Sequence, residues 1–206
     1  MSEFIVKQIL TGGFDNNFSY LIIEKNSLES IVIDPCGDIN LIEKEIKNIP
    51  GIKAKYILLT HGHFDHISGL NDIQKFFRAK VAGHPKLPFK KDYNINDGEK
   101  IPLGSVFVEA IYTPGHTEDS ITYRLSDNLG IFTGDTLFID YIGYCKPRIM
   151  FDSLQKIKNL PDSNLIFSGH NYGAVPFRSL KEEKEKNPFL KAKSLDEFTE
   201  VLKSLS

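Results

Sequence analysis

Residues 61–66 read His-Gly-His-Phe-Asp-His, so three of the chain's six histidines fall within six positions, together with an aspartate. The cluster follows directly on an apolar run, residues 55–60, that reads as a strand. Imidazole and carboxylate groups are natural protein ligands for zinc and for non-haem iron or manganese. A strand that ends in such a cluster and turns into a helix aims several donors at one point.

Two more histidines stand in the same way. His116, in Thr113-Pro114-Gly115-His116-Thr117, follows a strand-like run over 106–112. His170, in Ser168-Gly169-His170, follows another over 164–168. Between them, Thr133-Gly134-Asp135-Thr136 follows a run over 129–133. The glycine before each donor lets the backbone bend tightly. Four strand ends that each finish in metal-type donors point to one shared centre, and to an enzyme more than to a binding module. The sixth histidine, His84, lies between a short strand and Pro85 with no partner motif, and reads as structural or surface.

Strand patterning recurs over residues 4–10, 18–24 and 30–34, with turns at 12–13 and 25–26. Asp38 reads as the N-cap of a helix whose Ile39, Ile42, Ile46 and Ile49 share one face and which stops at Pro50-Gly51. A second helix is expected over 67–78, a short strand over 80–82, and a loose surface stretch with three prolines over 84–104. Strands over 106–112, 120–125 and 129–133, a helix over 151–159 and the strand over 164–168 complete a second β-rich half. The expected class is α/β, one domain over residues 1–206 with a helical tail at about 179–206. That tail is interrupted at Asn187-Pro188, and Leu195, Phe198, Val201, Leu202 and Leu205 form its apolar stripe.

A net charge of −2 with both signs mixed gives no general attraction to nucleic acid or to an anionic membrane. No apolar run is long enough to span a bilayer, and residues 1–13 do not read as a signal peptide. Two cysteines, Cys36 and Cys145, make no disulfide framework, so a reducing, cytoplasmic location is expected. Cys36, with no base beside it, is weak evidence for a nucleophile.

The set Thr60-His61-x-His63-x-Asp65-His66, Gly115-His116-Thr117, Gly134-Asp135 and Gly169-His170 resembles the metallo-β-lactamase superfamily across residues 60–170. The resemblance implies a four-layer αββα sandwich with metals at one edge. It implies that His61, His63 and His116 hold one metal, that Asp65, His66 and His170 hold a second, and that Asp135 bridges them. The implied cofactors are two divalent ions, zinc first, with iron or manganese as alternatives. Two such cations a few Å apart lower the pKa of a shared water, so hydroxide becomes available at neutral pH, with Asp65 and Asp135 as the catalytic carboxylates. Asp34, in Ile33-Asp34-Pro35, matches a position that family members use near the site; the resemblance implies that it orients a ligand histidine, against a plain turn residue.

Two branches of the superfamily compete. Gly134-Asp135-Thr136-Leu137-Phe138, and Asp15-Asn16-Asn17 ahead of Tyr20-Leu21-Ile22, resemble the glyoxalase II group of thioester hydrolases. By that resemblance Tyr172 contacts substrate, and Lys146 or Arg148 supplies a basic group suited to the carboxylates of glutathione. The stretches His170-Asn171-Tyr172, Glu182-Glu183-Lys184, Asn187-Pro188-x-Leu190 and Ser194-Leu195-Asp196-Glu197-Phe198 resemble the tail of the persulfide dioxygenase group. There one Fe(II) would be held by His61, His116 and Asp135. The chain departs from both groups at Gly143-Tyr144-Cys145-Lys146-Pro147-Arg148 and at Glu118-Asp119. The expectation is a metal-dependent hydrolase acting on a thioester of glutathione or another thiol, with the one-iron dioxygenase as the alternative. Its partner is a small molecule and not nucleic acid, and the chain is a monomer or a homodimer.

Overall fold

A computed structural model describes residues 3–205. Met1, Ser2 and Ser206, at the outer ends of the segments read above as 1–13 and 179–206, lie outside the described residues. The first half contains β1 (Phe4–Gly12), β2 (Asn17–Glu24), β3 (Glu29–Ile33), α1 (Ile39–Lys47), β4 (Lys53–Leu58), α2 (Phe64–Ile67), α3 (Leu70–Phe77), β5 (Lys80–Gly83) and β6 (Tyr93–Asn94). These strands form one sheet in the order β1-β2-β3-β4-β5-β6. Tight turns make β1, β2 and β3 antiparallel, whereas α1 and then α2–α3 cross over so that β3, β4 and β5 run parallel.

The second half contains β7 (Lys100–Leu103), β8 (Val106–Tyr112), β9 (Ile121–Leu125), β10 (Gly130–Gly134), α4 (Pro147–Lys158), β11 (Leu165–Ser168), β12 (Arg178–Ser179), α5 (Leu180–Lys186), α6 (Pro188–Lys191) and α7 (Leu195–Leu205). Its sheet runs β12-β11-β10-β9-β8-β7, antiparallel except for the β10–β11 pair that α4 connects.

Period-two patterning builds the layers. All eight residues of β2 are buried, which requires cover on both of its faces. Phe18, Tyr20 and Ile22 face the second sheet, where Tyr123, Phe132 and Phe167 meet them. Tyr20 packs on Phe132 with ring centroids 5.0 Å apart. Leu21 and Ile23 point the other way, onto Ile42 and Ile46 of α1 and Ile73 and Phe77 of α3. On the far side, Ile131 and Ile166 leave the second sheet to meet Met150, Leu154 and Ile157 of α4, with Phe189 and Phe198 from the tail. Helices, sheet, sheet and helices follow one another in four layers. No helix among the described residues is long and apolar enough to cross a membrane.

Some elements differ from the sequence reading. The helix expected over 67–78 begins earlier, at Phe64, and breaks at Ser68-Gly69 into α2 and α3. At Gly69 the backbone N–H donates to the Pro35 carbonyl at 3.0 Å, and the Ile39 side chain would lie 2.3 Å from any Cβ there. The close approach of α1 explains the break. Helix α4 starts at Pro147, whose fixed φ suits a first helical position. The stretch over 84–104 supplies two edge strands, β6 and β7. In the tail, the Asn187 side chain ends α5 and caps α6 by accepting from the Phe189 N–H at 2.9 Å. Leu205, counted in the apolar stripe, is exposed because α7 outruns the core, whereas Phe198 is fully buried.

Candidate metal centre

Four strand exits meet at one edge of the sandwich. The exit of β4 carries His61 and His63 and leads into α2, whose short turn presents Asp65 and His66. His116 follows β8, Asp135 follows β10 and His170 follows β11. The two sheets are joined there by the Ile121 N–H, which donates to the Thr60 carbonyl at 2.8 Å. Two glycines are required by space. A Cβ at Gly134, which has φ +49°, would lie 2.5 Å from the Thr60 hydroxyl. One at Gly169 would lie 2.4 Å from Asp135 Oδ1 and 2.6 Å from His66 Cε1.

The seven donors form two sets, and Asp34 makes a further, buried group with His61 and His66. One atom each from His61, His63, His116 and Asp135 lie within 4.8 Å of one another, as do one atom each from Asp65, His66 and His170. Asp135 stands between the sets. Its Oδ2 is 3.4 Å from His116 Nε2 and 3.3 Å from His170 Nε2, and its Oδ1 is 3.2 Å from His66 Nε2.

Hydrogen bonds on the outer side of each ring fix which nitrogen carries the proton. His66 Nδ1 lies 3.0 Å from the Asp34 carboxylate, which can only accept. His170 Nδ1 lies 2.7 Å from the Asp15 carbonyl, and His116 Nδ1 lies 2.8 Å from the Tyr144 carbonyl. Thr60 Oγ1 donates to Asp34 at 2.5 Å, which leaves its lone pair to accept from His61 Nδ1 at 3.1 Å. In the neutral form of each of these four rings Nε2 would be a bare lone pair aimed inward. His66 and His170 face each other Nε2 to Nε2 at 3.2 Å, and His116 Nε2 faces His63 Nδ1 at 2.9 Å. His61 Nε2 is buried with no hydrogen-bond partner, and so is Asp135 Oδ1. Converging lone pairs and orphaned buried acceptors repel and are costly unless a cation lies among them. The residues present therefore fit bound cations, in the nitrogen and oxygen chemistry that zinc, iron and manganese accept.

The electrostatics agree. Burial, reinforced by the neighbouring His66, holds the pKa of His61 well below its usual value, so this ring stays neutral. Burial and the adjacent His116 lower that of His63 as well. At His66 burial opposes the charge, but Asp135 and then Asp34 outweigh it and hold its pKa well above the usual value. Without a cation, a proton takes the place between the rings. Burial likewise opposes the charge on Asp135, yet His66, His170 and His61 hold its carboxyl well below the ordinary range.

Asp34 lies under the second set. It sits at φ +47° and also accepts the Thr60 N–H at 2.8 Å. Asp65 Oδ2 accepts from the Asn17 side chain at 3.0 Å. Asn17, Thr60 and the carbonyls of Asp15 and Tyr144 were not singled out from the sequence as supports of the rings. Backbone acceptors carry no side-chain signal, and a lone Thr ahead of a strand exit looks like any β-former. His84 stacks on Tyr112 at 4.4 Å, away from both donor sets, as a structural residue would.

Beside His116 and Asp135 opens a cavity of about 620 Å³, lined by Phe138, Ile139, Tyr141, Ile142, Tyr144 and Tyr172 among others. Tyr172 stacks on His170 at 4.7 Å and gives its hydroxyl hydrogen to the Asp15 carboxylate. Neither Lys146 nor Arg148 lines this cavity. Lys146 pairs with Glu118 at 3.1 Å, and Arg148 pairs with Asp152 at 3.5 Å on the surface of α4. One wall is anchored to the tail. Arg178 bonds both Asp140 and the fully buried Glu183, Glu183 accepts the Asp140 N–H, and Asn187 donates to the Tyr141 carbonyl.

Residues 12–170, a span that contains all seven donors, match the metallo-beta-lactamase superfamily. A hydroxyacylglutathione hydrolase of Brucella anthropi is 34% identical over 164 residues, covering 76% of this chain and 62% of the relative. The mitochondrial persulfide dioxygenase ETHE1 of Bos taurus is 29% identical over 196 residues, covering 92% of this chain and 77% of the relative. The crystal structure of ETHE1 from Myxococcus xanthus superposes with a TM-score of 0.86 at 27% identity, over 98% of this chain and 91% of that one. On its motifs, its four layers and this match, the chain belongs to the metallo-beta-lactamase superfamily.

Proposed function

We propose that this chain is a metal-dependent hydrolase that cleaves a thioester with water, releasing a carboxylic acid and a thiol. The observation that carries the reading is the second donor set. Asp65, His66 and His170 converge on their own point, with His66 Nε2 and His170 Nε2 facing each other at 3.2 Å, and share Asp135 with the first set. His61, His63 and His116 would hold one divalent cation, Asp65, His66 and His170 a second, and Asp135 both. Such a pair of cations supplies a hydroxide at neutral pH and Lewis acidity toward a carbonyl oxygen. The chain's own groups do the rest. Asp65, steadied by Asn17, holds the proton of the attacking water at Oδ2. Asp34 and the Asp15 carbonyl keep the rings of His66 and His170 in the ligating tautomer. The cavity beside His116 receives the substrate and sheds water from around the reacting carbonyl. The similarity to a hydroxyacylglutathione hydrolase supports this reading.

The likeness to persulfide dioxygenases over nearly the whole chain favours a second reading, in which His61, His116 and Asp135 hold a single iron that leaves positions open for oxygen. Metal content of protein purified without added metal separates the two. About two metals per chain with thioester turnover supports the hydrolase, whereas about one iron with oxygen uptake on a persulfide overturns it. His61→Ala abolishes activity under both readings. Asp65→Ala lowers hydrolase activity by at least 100-fold and spares a one-iron oxygenase.

A further inference from the structure

We infer that the substrate group seated beside His116 and Asp135 is uncharged and apolar, an aromatic or branched aliphatic moiety, and not the polyanionic body of a glutathione conjugate. The inference takes its reaction from the hydrolase reading, but its claim about the pocket rests on the lining alone. Six apolar or aromatic side chains, Phe138, Ile139, Tyr141, Ile142, Tyr144 and Tyr172, make the walls of the cavity. Of the lining residues that carry charge, His116 and Asp135 belong to the donor sets, and Asp140 is held by Arg178.

Among the described residues, no lysine or arginine lines it. The basic side chains around Glu118 and at the start of α4 are paired. Lys146 and Lys86 both pair with Glu118, at 3.1 and 3.7 Å, and Arg148 points into solvent beside Asp152. Glutathione carries two carboxylates, and burying either against these walls leaves a charge without a partner, which is costly.

The mouth points the same way. Tyr144 is 93% exposed, and no ring contact holds its side chain. Its own carbonyl is fixed on His116 Nδ1 at 2.8 Å, so its backbone stands at a set place beside the donors while its ring is left open to water. Tyr141 and Tyr172 are also partly exposed around the cavity, at 39% and 46%. Large rings left open to water around a concave apolar site are what a hydrophobic ligand would cover. The Tyr172 hydroxyl is committed to Asp15, so this residue offers substrate its ring and not a free donor.

The test uses the zinc-loaded full chain and two independent readouts. The first is kcat/KM for the benzoyl thioester of N-acetylcysteamine, a neutral thiol, against S-lactoylglutathione. The expected ratio favours the neutral aromatic compound by at least tenfold, and Tyr144→Ala together with Ile142→Ala shrinks it at least fivefold, mainly through KM. The second is calorimetric binding of benzyl mercaptan against glutathione, with benzyl mercaptan at least tenfold tighter. Preference for S-lactoylglutathione, or tighter binding of glutathione, overturns the inference. If neither thioester is cleaved while benzyl mercaptan still binds tenfold more tightly, the hydrolase reading fails and the apolar pocket stands. Thermal melts of both variants show whether they are folded; if either fails, Tyr144→Ser and Ile142→Thr take their place in the same comparison.

Discussion

Asp34→Asn changes one atom and should disable the second donor set. In the native chain Asp34 Oδ1 accepts the Thr60 N–H at 2.8 Å, while Oδ2 accepts the Thr60 hydroxyl at 2.5 Å and His66 Nδ1 at 3.0 Å. Asparagine keeps the left-handed backbone at this position, where φ is +47°, with little strain. If its oxygen stays on the Thr60 N–H, its NH2 group faces His66 Nδ1, which must then become an acceptor. The proton of that ring moves to Nε2, the atom that points at His170, and the ring stops being a ligand. The Thr60 hydroxyl, having lost its acceptor, turns toward His61 Nδ1 and pushes that ring the same way. If the amide flips instead, a buried Thr60 N–H meets an NH2 donor, at a cost of about 1–3 kcal/mol. Loss of a partner that orients a ligand typically weakens metal binding 10–100-fold, about 1.4–2.8 kcal/mol. Titration of metal-free protein against a competing chromophoric chelator reads this directly. The weaker step should drop by that factor, with an unchanged circular dichroism spectrum. A variant that binds both equivalents with native affinity would refute the tautomer argument.

Gly169→Ala places a methyl group about where Asp135 Oδ1 and His66 Cε1 now lie, so it should lower metal stoichiometry below the native value and lower stability by ~1–3 kcal/mol, seen by elemental analysis and urea unfolding. The metal-free protein should lose stability as pH rises. The raised pKa of His66, shared in part by His170, gives a contribution that is complete below about pH 6.5 and fades as pH climbs through the raised folded-state value. Thermal melts between pH 7 and 9 should show a falling midpoint for chelated protein and a flat one for loaded protein; a flat chelated curve would sink the assignment. Phe198→Ala, in the fully buried contact between α7 and α4, should cost ~3–5 kcal/mol, and a urea midpoint within error of native would show that the tail does not stabilise the body.

Much of this was legible because the site is written in side chains at strand ends. A metal-type donor just after an apolar run, with a glycine before it at three of the four strand ends, is local information, and the four ends together name the donors. The alternation of Phe18, Tyr20 and Ile22 with Leu21 and Ile23 likewise foretells a strand covered on both faces. What escaped the reading is made by contacts distant in sequence. The break at Gly69 depends on Ile39, and β6 and β7 are recruited by β5 and β8. The Asp15 and Tyr144 carbonyls depend on loop paths that no side chain announces. Resemblance suggested Lys146 and Arg148 as substrate contacts; the i,i+4 pairing of Arg148 with Asp152 on α4 is legible from spacing, whereas that of Lys146 with Glu118 joins residues distant in sequence.

The donors are divided between the sheets: His61, His63, Asp65 and His66 come from the first, and His116, Asp135 and His170 from the second. A cation shared across that seam is also a rivet between the two halves of the chain. Binding to the folded form alone adds about 2.7 kcal/mol when free metal is at 100 times its Kd, a large part of a typical domain's stability. Metal supply and folding are then linked quantities. A packing defect far from the site would be masked in metal-rich medium and exposed by chelation. A lost ligand would first be noticed as low yield and easy proteolysis, before any assay of turnover.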